Sequence, residues 1–404
     1  MTEQAERKVP RIRFKGFEGA WEEKTFDQNI LSIQTGTNLL GSITGKGTPL
    51  LKMGNIQRGS FSFERLECLD ENAKVEPENI AHFGDFLFNT RNTLDLVGKG
   101  ATWMGESGKF AFNNNLARFK FQGINTVFFN YLYNTSSVVM QVKARAMGTT
   151  SVAAIYPKNL NSLKYSLPTP AEQTQIGTYF RELDQLIDLH QRKHDKLVTL
   201  KKAMLQKMFP QAGASTPEIR FKGFEGDWTT EKLGEVATLI NGRAYSQNEL
   251  LNRGRYRVLR VGNFYTNSSW YFSDMELGEK YYAKKGDLLY TWSASFGPHI
   301  WAGEKVIYHY HIWKVELSDR LHKEFILQLL ENDKERILSN SSGSTMVHIT
   351  KSVMESKEFI IPPKAEQQKI GTYFSTLDVL ISKHATQLKK LKQIKSACLE
   401  KMFV

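Results

Sequence analysis

Apolar residues recur at steps of three, four or seven in two separate stretches of the chain. One series is Ile176, Phe180, Leu183, Ile187, His190, His194, Leu197 and Met204; the other is Ile370, Phe374, Leu377, Ile381, His384, Leu388, Leu391 and Cys398. This spacing predicts two long helices, each with an apolar seam of heptad type. Prolines followed by a glutamate, at 168–172 and 362–366, mark the two helix starts.

Each predicted helix covers about 36 residues, or roughly 54 Å, and cannot bury its seam alone. The simplest way to bury both seams is to pack the two helices against each other, antiparallel. The predicted packing residues are Ile176, Phe180, Leu183, Ile187 and Leu197 on the first helix and Ile370, Phe374, Leu377, Ile381 and Leu391 on the second. His190 and His384 lie on the seam. Packed, hydrogen-bonded histidines are favoured there over metal ligands, because no carboxylate–histidine cluster of ligand spacing accompanies them.

The chain also repeats itself. Residues 12–21 (IRFKGFEGAW) match 219–228 (IRFKGFEGDW) at nine of ten positions, and residues 168–209 share 22 of 42 positions with 362–403. Between these anchors the similarity is faint, with Gly-Asn at 54–55 and 262–263 and Gly-Asp at 84–85 and 286–287. If the two copies had diverged uniformly after an old duplication, sequence similarity would not persist at both ends of each copy and be lost between them. Two variable modules on one fixed scaffold therefore fit better.

The variable middles mix short strand-like and helix-like runs, punctuated by Gly and Asn. The fold class predicted is α+β, a pseudo-twofold tandem repeat of two mixed α/β globules separated by the long helices as an antiparallel coiled coil. The predicted boundaries are 1–165 for module 1, 166–210 for the first helical region, 211–218 for a linker, 219–360 for module 2 and 361–404 for the second helical region.

Composition narrows the possible functions. The 404 residues carry a formal charge of +12, which favours a polyanionic partner, and residues 1–210 contribute +7 against +5 from 211–404. Two cysteines argue against a disulfide scaffold or a cysteine-ligated zinc site and suit a reducing cytoplasm. The N-terminus lacks the apolar stretch of a signal peptide, and no apolar run is long enough to predict a membrane span.

Catalytic signatures are mostly missing. The stretch 41–48 (GSITGKGT) resembles a P-loop, but three residues rather than four separate its glycines, and no apolar strand leads cleanly into it. A solvated loop that faces DNA is the favoured interpretation. A cryptic nuclease or methyltransferase site stays open as an alternative, as does an adaptor that binds only protein.

Features typical of nucleic-acid binding are more frequent. Arg253, Arg255 and Arg257 alternate with other residues, so a strand would place all three on one face, where phosphates could offset their repulsion. A solvated strand face is the alternative. Loops that combine basic, amide, hydroxyl and aromatic side chains suit contacts to bases and phosphates. The predicted DNA-binding residues are Lys46, Arg58, Arg91, Asn92, Thr149, Thr150, Arg243, Tyr245, Arg253, Arg255, Arg257, Trp292, Ser293, Ser344 and Thr345.

With these repeats, the chain resembles the specificity subunit of type I restriction–modification systems over essentially its whole length. The resemblance is carried by the Phe-Lys-Gly-Phe-Glu-Gly-x-Trp entries at 14–21 and 221–228 and by the Pro-x-x-Ala-Glu-Gln-x-x-Ile-Gly-Thr-Tyr-Phe helix starts at 168–180 and 362–374. It implies that each module reads one half of a bipartite, asymmetric DNA site and that the helices fix the gap between the halves. Module 1 departs from its counterpart in a less basic 51–56 and a Gly-rich loop at 37–48, which implies a different target.

The same resemblance implies partners and cofactors. Two modification subunits, which methylate adenine from S-adenosylmethionine, and two restriction subunits, which translocate DNA with ATP and Mg²⁺, would assemble on this chain and on double-stranded DNA. The chain itself would bind no cofactor and no metal, and would be non-catalytic.

Overall fold

The structure is a computed structural model that describes residues 8–149, 151–293, 295–340 and 349–404. The described residues fall into two compact units. Unit 1 comprises the residues up to His190 together with Thr386–Val404, and unit 2 comprises Gln191–Ala385. The division falls inside both long helices, whereas the boundaries drawn from the sequence lie at the helix ends.

Module 1 builds two four-stranded sheets over short helices. Its strands are β1 (Glu22–Thr25), β2 (Ile30–Thr35), β3 (Pro49–Leu51), β4 (Glu67–Cys68), β5 (Ile80–Ala81), β6 (Phe86–Asn89), β7 (Arg91–Asn92), β8 (Gly100–Thr102), β9 (Phe110–Phe112), β10 (Leu116–Phe121), β11 (Met147–Gly148), β12 (Ala153–Ala154) and β13 (Lys164–Leu167). Its helices are α1 (Phe26–Asn29), α2 (Thr126–Tyr133) and α3 (Ser136–Lys143). The sheet orders are β2-β10-β6-β8 and β4-β3-β9-β5, with smaller sheets β11-β12-β7 and β1-β13.

Module 2 repeats this plan. Its strands are β14 (Thr229–Lys232), β15 (Ala237–Asn241), β16 (Tyr256–Leu259), β17 (Tyr271–Ser273), β18 (Tyr282–Ala283), β19 (Leu288–Thr291), β20 (Gly297–Ile300), β21 (Val306–Tyr308), β22 (Ile312–Leu317) and β23 (Glu358–Ile361). Its helices are α5 (Leu233–Val236), α6 (Lys323–Asn340) and α7 (Lys351–Ser356). The sheet orders β15-β22-β19-β20 and β17-β16-β21-β18 match those of module 1, down to one parallel pair in each, β3 with β9 and β16 with β21.

The short Gly-Asn and Gly-Asp matches between the two modules stabilise turns. The Asp85 carboxylate accepts from the backbone N–H of His82 at 2.9 Å, and Asp287 accepts from that of Lys284 at 2.8 Å. The preceding Gly84 adopts a φ of 90°, in the left-handed region that disfavours other residues. In the same way, the side chains of Asn55 and Asn263 accept from backbone N–H groups three residues earlier. These pairs are therefore kept for folding, while the loops around them differ.

The two long helices are α4 (Pro170–Lys207) and α8 (Lys364–Lys401). Each begins with a glutamate that is fully buried, Glu172 and Glu366. Arg13 donates two hydrogen bonds of 2.7 Å to the Glu172 carboxylate and a third, of 2.6 Å, to the Gly19 carbonyl. Arg220 repeats this on Glu366 at 2.7 and 2.8 Å. In each copy, therefore, the repeated entry residues contact the repeated helix start.

The residues after each glutamate dock the helix on its own module. Gln173 accepts from the Asn125 N–H at 2.9 Å, and Gln367 accepts from the His322 N–H at 2.9 Å, which ties each long helix to the start of a module helix. A Cβ at Gly177 would lie 2.8 Å from a backbone nitrogen of α2, so only glycine allows this approach. Gly371 meets the same limit against α6.

The end of each helix closes the core of the other repeat's module. Phe403 stacks on Phe128 at 5.6 Å and meets Phe180 and Trp21 within unit 1. Within unit 2, Phe209 stacks on Phe325 at 5.6 Å and meets Trp228 and Phe374. The Lys-Met-Phe triplet shared by both helix ends supplies these aromatic plugs.

The helices run antiparallel within each unit, as predicted. In unit 1, Asp184 accepts from the Tyr131 hydroxyl at 3.0 Å and pairs with Lys395 at 2.5 Å, while Tyr179 contacts Cys398 at 3.6 Å. In unit 2, Asp378 receives a hydrogen bond of 3.0 Å from Gln328 and pairs with Lys201 at 2.6 Å.

The predicted seam residues are buried or half-buried, with one refinement. Ile176, Phe180, Ile370 and Phe374 belong to the module cores as well as to the helix contacts, because the first turns of each helix lie on its own module. Leu183 and Leu377 are buried, whereas Ile187, Leu197, Ile381 and Leu391 are half-buried along the helices.

The ion pairs give a first prediction. Glu172→Gln leaves the half-buried Arg13 guanidinium without its counter-charge, which should destabilise unit 1 by about 3 kcal/mol. Hydrogen exchange read by peptide should then speed up in unit 1 and stay unchanged in unit 2, and Glu366→Gln should show the reverse. The control is Glu22→Gln, which removes an exposed ion pair with Lys24. Equal effects of Glu172→Gln and Glu22→Gln would contradict the role given to the buried pair.

The aromatic plugs give a second prediction. Phe403→Ala should open a cavity in the core of unit 1 and cost about 3–5 kcal/mol there. Exchange should accelerate in α2 and at Trp21, although residue 403 is far away in sequence. Leu380→Ala, at an exposed position of α8, the helix that Phe403 follows, serves as the control. If Phe403→Ala left α2 protected, the plug would not belong to that core.

Candidate nucleic-acid interface

One loop of each module lies between the same two strands and is held by the same contacts. The loop of module 1, residues 36–48, joins β2 to β3, and the loop of module 2, residues 242–255, joins β15 to β16. Thr37 bridges to Asn113 and Arg243 to His309 at the start, and Ser42 and Leu251 bridge to the neighbouring strand further along. The two loops are therefore structural counterparts.

The loop of module 2 carries the predicted arginines, with a correction. Strand β16 begins at Tyr256, so only Arg257 lies on it, and the prediction that all three guanidinium groups share one strand face is wrong. The glycine at 254 and a hydrogen bond from the Arg255 N–H to Asp274 keep the preceding residues in a turn. Arg253, Arg255 and Arg257 are nevertheless all exposed.

Aromatic rings lie beside the cations of this surface. Arg257 lies over Trp270 at 5.5 Å and Arg260 over Tyr271 at 4.2 Å. Arg255 lies over Tyr256 and also pairs with the exposed Glu276 carboxylate. Exposed ion pairs contribute little free energy, so a phosphate could displace Glu276. Among the described residues, the structure shows no carboxylate partner for Arg253 or Arg257.

Arg243 and Tyr245 serve the module itself. Arg243 pairs with Glu249 at 2.6 Å, and this hydrogen bond, more than any other contact, lowers the Glu249 pKa to about 2. The Tyr245 ring packs beside His309, and burial raises the pKa of its hydroxyl. Both predicted residues thus have partners within the module. Arg243, which is paired with Glu249, is therefore less available to an outside phosphate than Arg253 or Arg257.

Module 1 brings together two cations that lie far apart in sequence. The N–H of Gly59 donates to the Gly100 carbonyl at 3.0 Å, which places Arg58 close to Lys99. Lys99 donates to Gln57 at 2.7 Å, and partial burial, followed by the nearby Arg58 charge, lowers the Lys99 pKa. Sequence reasoning named Arg58 but missed Lys99, because only the folded strand β8 brings the two together.

The other predicted residues of module 1 share one small sheet. Arg91 and Asn92 form β7, which pairs with β12, and β12 pairs with β11, just before Thr149. Arg91 and Thr149 are exposed, and Asn92 is half-buried. Thr150, Ser344 and Thr345 lie outside the described residues.

The remaining predicted residues differ in exposure. Lys46 is exposed on the loop of module 1. Trp292 donates from its indole N–H to the Tyr310 carbonyl at 2.9 Å and stacks on Trp313, while Ser293 is buried. Nearby, burial lowers the pKa of His299 and of His309 to about 4, so both imidazoles are neutral near pH 7.

The stretch 41–48 is not built as a P-loop. It runs into strand β3 instead of a helix, and its glycines pack against backbone. A Cβ at Gly45 would lie 2.2 Å from the Cys68 carbonyl oxygen, and one at Gly47 2.3 Å from that of Asp70. The glycine-rich composition therefore reflects close packing of the loop on β4.

Within the described part of the chain, no three His, Cys, Asp or Glu side chains are arranged to hold a metal ion. None of the helices over the same residues has the length and apolar character needed to cross a membrane.

Residues 225–393, which cover most of module 2 and α8, match the family model described as the type I restriction modification DNA specificity domain. Module 1, with α4, repeats the same strand order and the same Arg–Glu contact, so the fold of this matched stretch occurs twice in the chain.

Two relatives are similar to the chain over much of its length. The chain is 22% identical over 92% of its length to a putative type I restriction enzyme MjaX specificity subunit of Methanocaldococcus jannaschii, of which the match covers 91%. It is 22% identical over 69% of its length to the MjaIX specificity subunit of the same organism, covering 68% of that protein.

A solved structure shares the fold. The type I restriction–modification S subunit from M. genitalium superposes with a TM-score of 0.67 at 15% identity, covering 98% of this chain and 99% of that one. The resemblance to type I specificity subunits drawn from the repeated motifs is thereby confirmed.

The exposed arginines of module 2 give the third prediction. Replacing Arg253, Arg255 and Arg257 with Ala should weaken binding to DNA and lower the slope of log affinity against log salt by up to about 3. Arg320→Ala, which removes an arginine paired with Glu231 in the same module, is the control. Affinity would be measured by fluorescence anisotropy across a salt series. An unchanged slope would remove these arginines from the interface.

Proposed function

We propose that this chain is the sequence-reading scaffold of a type I restriction–modification enzyme. In this proposal module 1 reads one half of a bipartite, asymmetric DNA site and module 2 reads the other. The observation that carries it is the contrast between the two modules. They share strand order, turns and helix docking, yet their corresponding loops expose different side chains.

The chemistry of the exposed side chains supports a duplex as the ligand. Module 2 offers guanidinium groups beside aromatic rings, and module 1 offers Arg58 with Lys99 and a small sheet bearing Arg91 and Thr149. Guanidinium and ammonium groups bind phosphates, and arginine, asparagine and threonine side chains contact base edges. Because the two sets differ, the two half-sites should differ as well.

The long helices supply the spacing. Each begins on one module, held by the buried ion pair, and ends as an aromatic plug in the core of the other. In this proposal the lengths of the two helices set the distance between half-sites, which must suit the helical repeat of about 34 Å when both are read from one face.

Partners would supply the chemistry. The proposal includes two modification subunits that use S-adenosylmethionine and two restriction subunits that use ATP and Mg²⁺, with the chain itself non-catalytic and without a bound cofactor. A modification subunit must take its target adenine out of the base stack. The work of this chain is to place that subunit over the right adenine.

The alternative is a self-contained enzyme, and methyl transfer separates it from the proposal. The purified chain given labelled S-adenosylmethionine and target DNA should transfer no methyl groups, whereas its complex with the modification subunit should. The complex with the arginine-to-alanine variant controls for loss of recognition. Methyl transfer by the chain alone would refute the scaffold role.

The ruler can be tested by length. Inserting one helical turn, four residues, into the exposed middle of α4 and the matching turn into α8 should lengthen the tolerated gap between half-sites. Preference would be read from binding to a series of targets whose spacers differ by one base pair, with four exposed substitutions in the same turns as the control. An unchanged spacer preference would argue against the ruler.

A further inference from the structure

The loop of module 1 presents two large aliphatic side chains to solvent. Leu40 is 90% exposed and Ile43 is 82% exposed. Burying such a side chain fully is worth about 1.5–3 kcal/mol, so the isolated module forgoes this stabilisation twice in four residues. Both side chains are therefore available to an outside ligand.

The loop is rigid rather than loose. Ser42 and Cys68 exchange two backbone hydrogen bonds of 2.9 Å, and the Gly47 N–H donates to the Leu69 carbonyl at 3.0 Å. The Leu39 N–H donates to the Thr37 hydroxyl at 3.1 Å. Both aliphatic side chains therefore sit on a turn fixed from either side, which lowers the entropy lost when a ligand binds.

The balance of apolar and cationic side chains differs between this loop and its counterpart. Between the second bridge and the next strand, module 1 carries Ile43 and a single cation, Lys46, where module 2 carries Arg253 and Arg255. A protein subunit that docked in the same way on both modules would need similar surfaces at corresponding positions. Loops that differ in this way instead fit two DNA half-sites of different sequence.

We propose that module 1 reads its half-site through Leu40 and Ile43, which contact thymine methyl groups in the major groove. The inference rests on the proposed function. The thymine C5-methyl group is the apolar group that the major groove displays, and apolar side chains recognise it there. Lys46, three residues beyond Ile43, binds an adjacent phosphate. Module 2 reads its half-site with guanidinium groups, so the two modules discriminate bases by different physical means.

Replacing thymine with deoxyuridine removes only the methyl group and tests this directly. The chain in complex with its modification subunit would be titrated with its target, and with targets in which each thymine in turn is deoxyuridine. The wild-type complex should lose about fourfold in affinity per contacted methyl, in one half-site only. The double variant Leu40→Ala, Ile43→Ala should bind the target more weakly and bind thymine and deoxyuridine there equally.

Two controls separate the possible outcomes. Leu31→Ala removes another exposed leucine of module 1, 63% exposed and outside the loop, and should behave as wild type. The arginine variant of module 2 should keep the thymine discrimination. Sequence-specific binding without any methyl effect, or a double variant that still discriminates, would overturn this inference and leave the proposed function standing. Loss of assembly with the modification subunit in the double variant would assign the loop to protein contact and overturn it too. If the wild-type complex preferred no DNA sequence, the proposed function itself would be contradicted.

Discussion

The architecture depends on a buried ion pair that occurs twice. Arg13 with Glu172, and Arg220 with Glu366, join the first residues of each repeat to the start of its long helix. Each glutamate has no exposed surface, so its charge is tolerated only because the guanidinium satisfies both carboxylate oxygens. The same arginine also holds the entry turn through the carbonyl of Gly19 or Gly226. Entry, module and helix are fixed relative to one another within each unit by this contact.

This contact explains which parts of the sequence repeat and which do not. The residues shared by the two copies are the ones that hold helix to module. They are the Ile-Arg-Phe-Lys-Gly-Phe-Glu-Gly entry, the Ala-Glu-Gln helix start and the terminal Lys-Met-Phe. Between these shared residues the two copies differ in strands and loops alike. The loops that a ligand would contact therefore differ, while the strand order that presents them is the same.

Much of the fold followed from sequence because periodicity and repetition report local structure and buried contacts. The long helices and their antiparallel contacts appear where the pattern predicted them. The site was harder, because its residues come together only after folding. Lys99 lies beside Arg58 through a backbone hydrogen bond across 41 residues, and alternation of Arg253, Arg255 and Arg257 gave no sign of the turn that precedes β16. The total charge was also a poor indicator of where DNA would bind. Residues 22–165 hold 15 basic and 12 acidic side chains, whereas α8 alone holds 8 basic and 3 acidic ones.

The central claim is that two copies of one fold read two different half-sites for one enzyme. Genome-wide mapping of methylated adenines, in cells with this chain and its partner subunits and in cells lacking only this chain, tests it most directly. The account predicts methylation that depends on the chain, at a single motif made of two unlike half-sites separated by a gap of fixed length. A palindromic or uninterrupted motif, or methylation that persists without the chain, would contradict it.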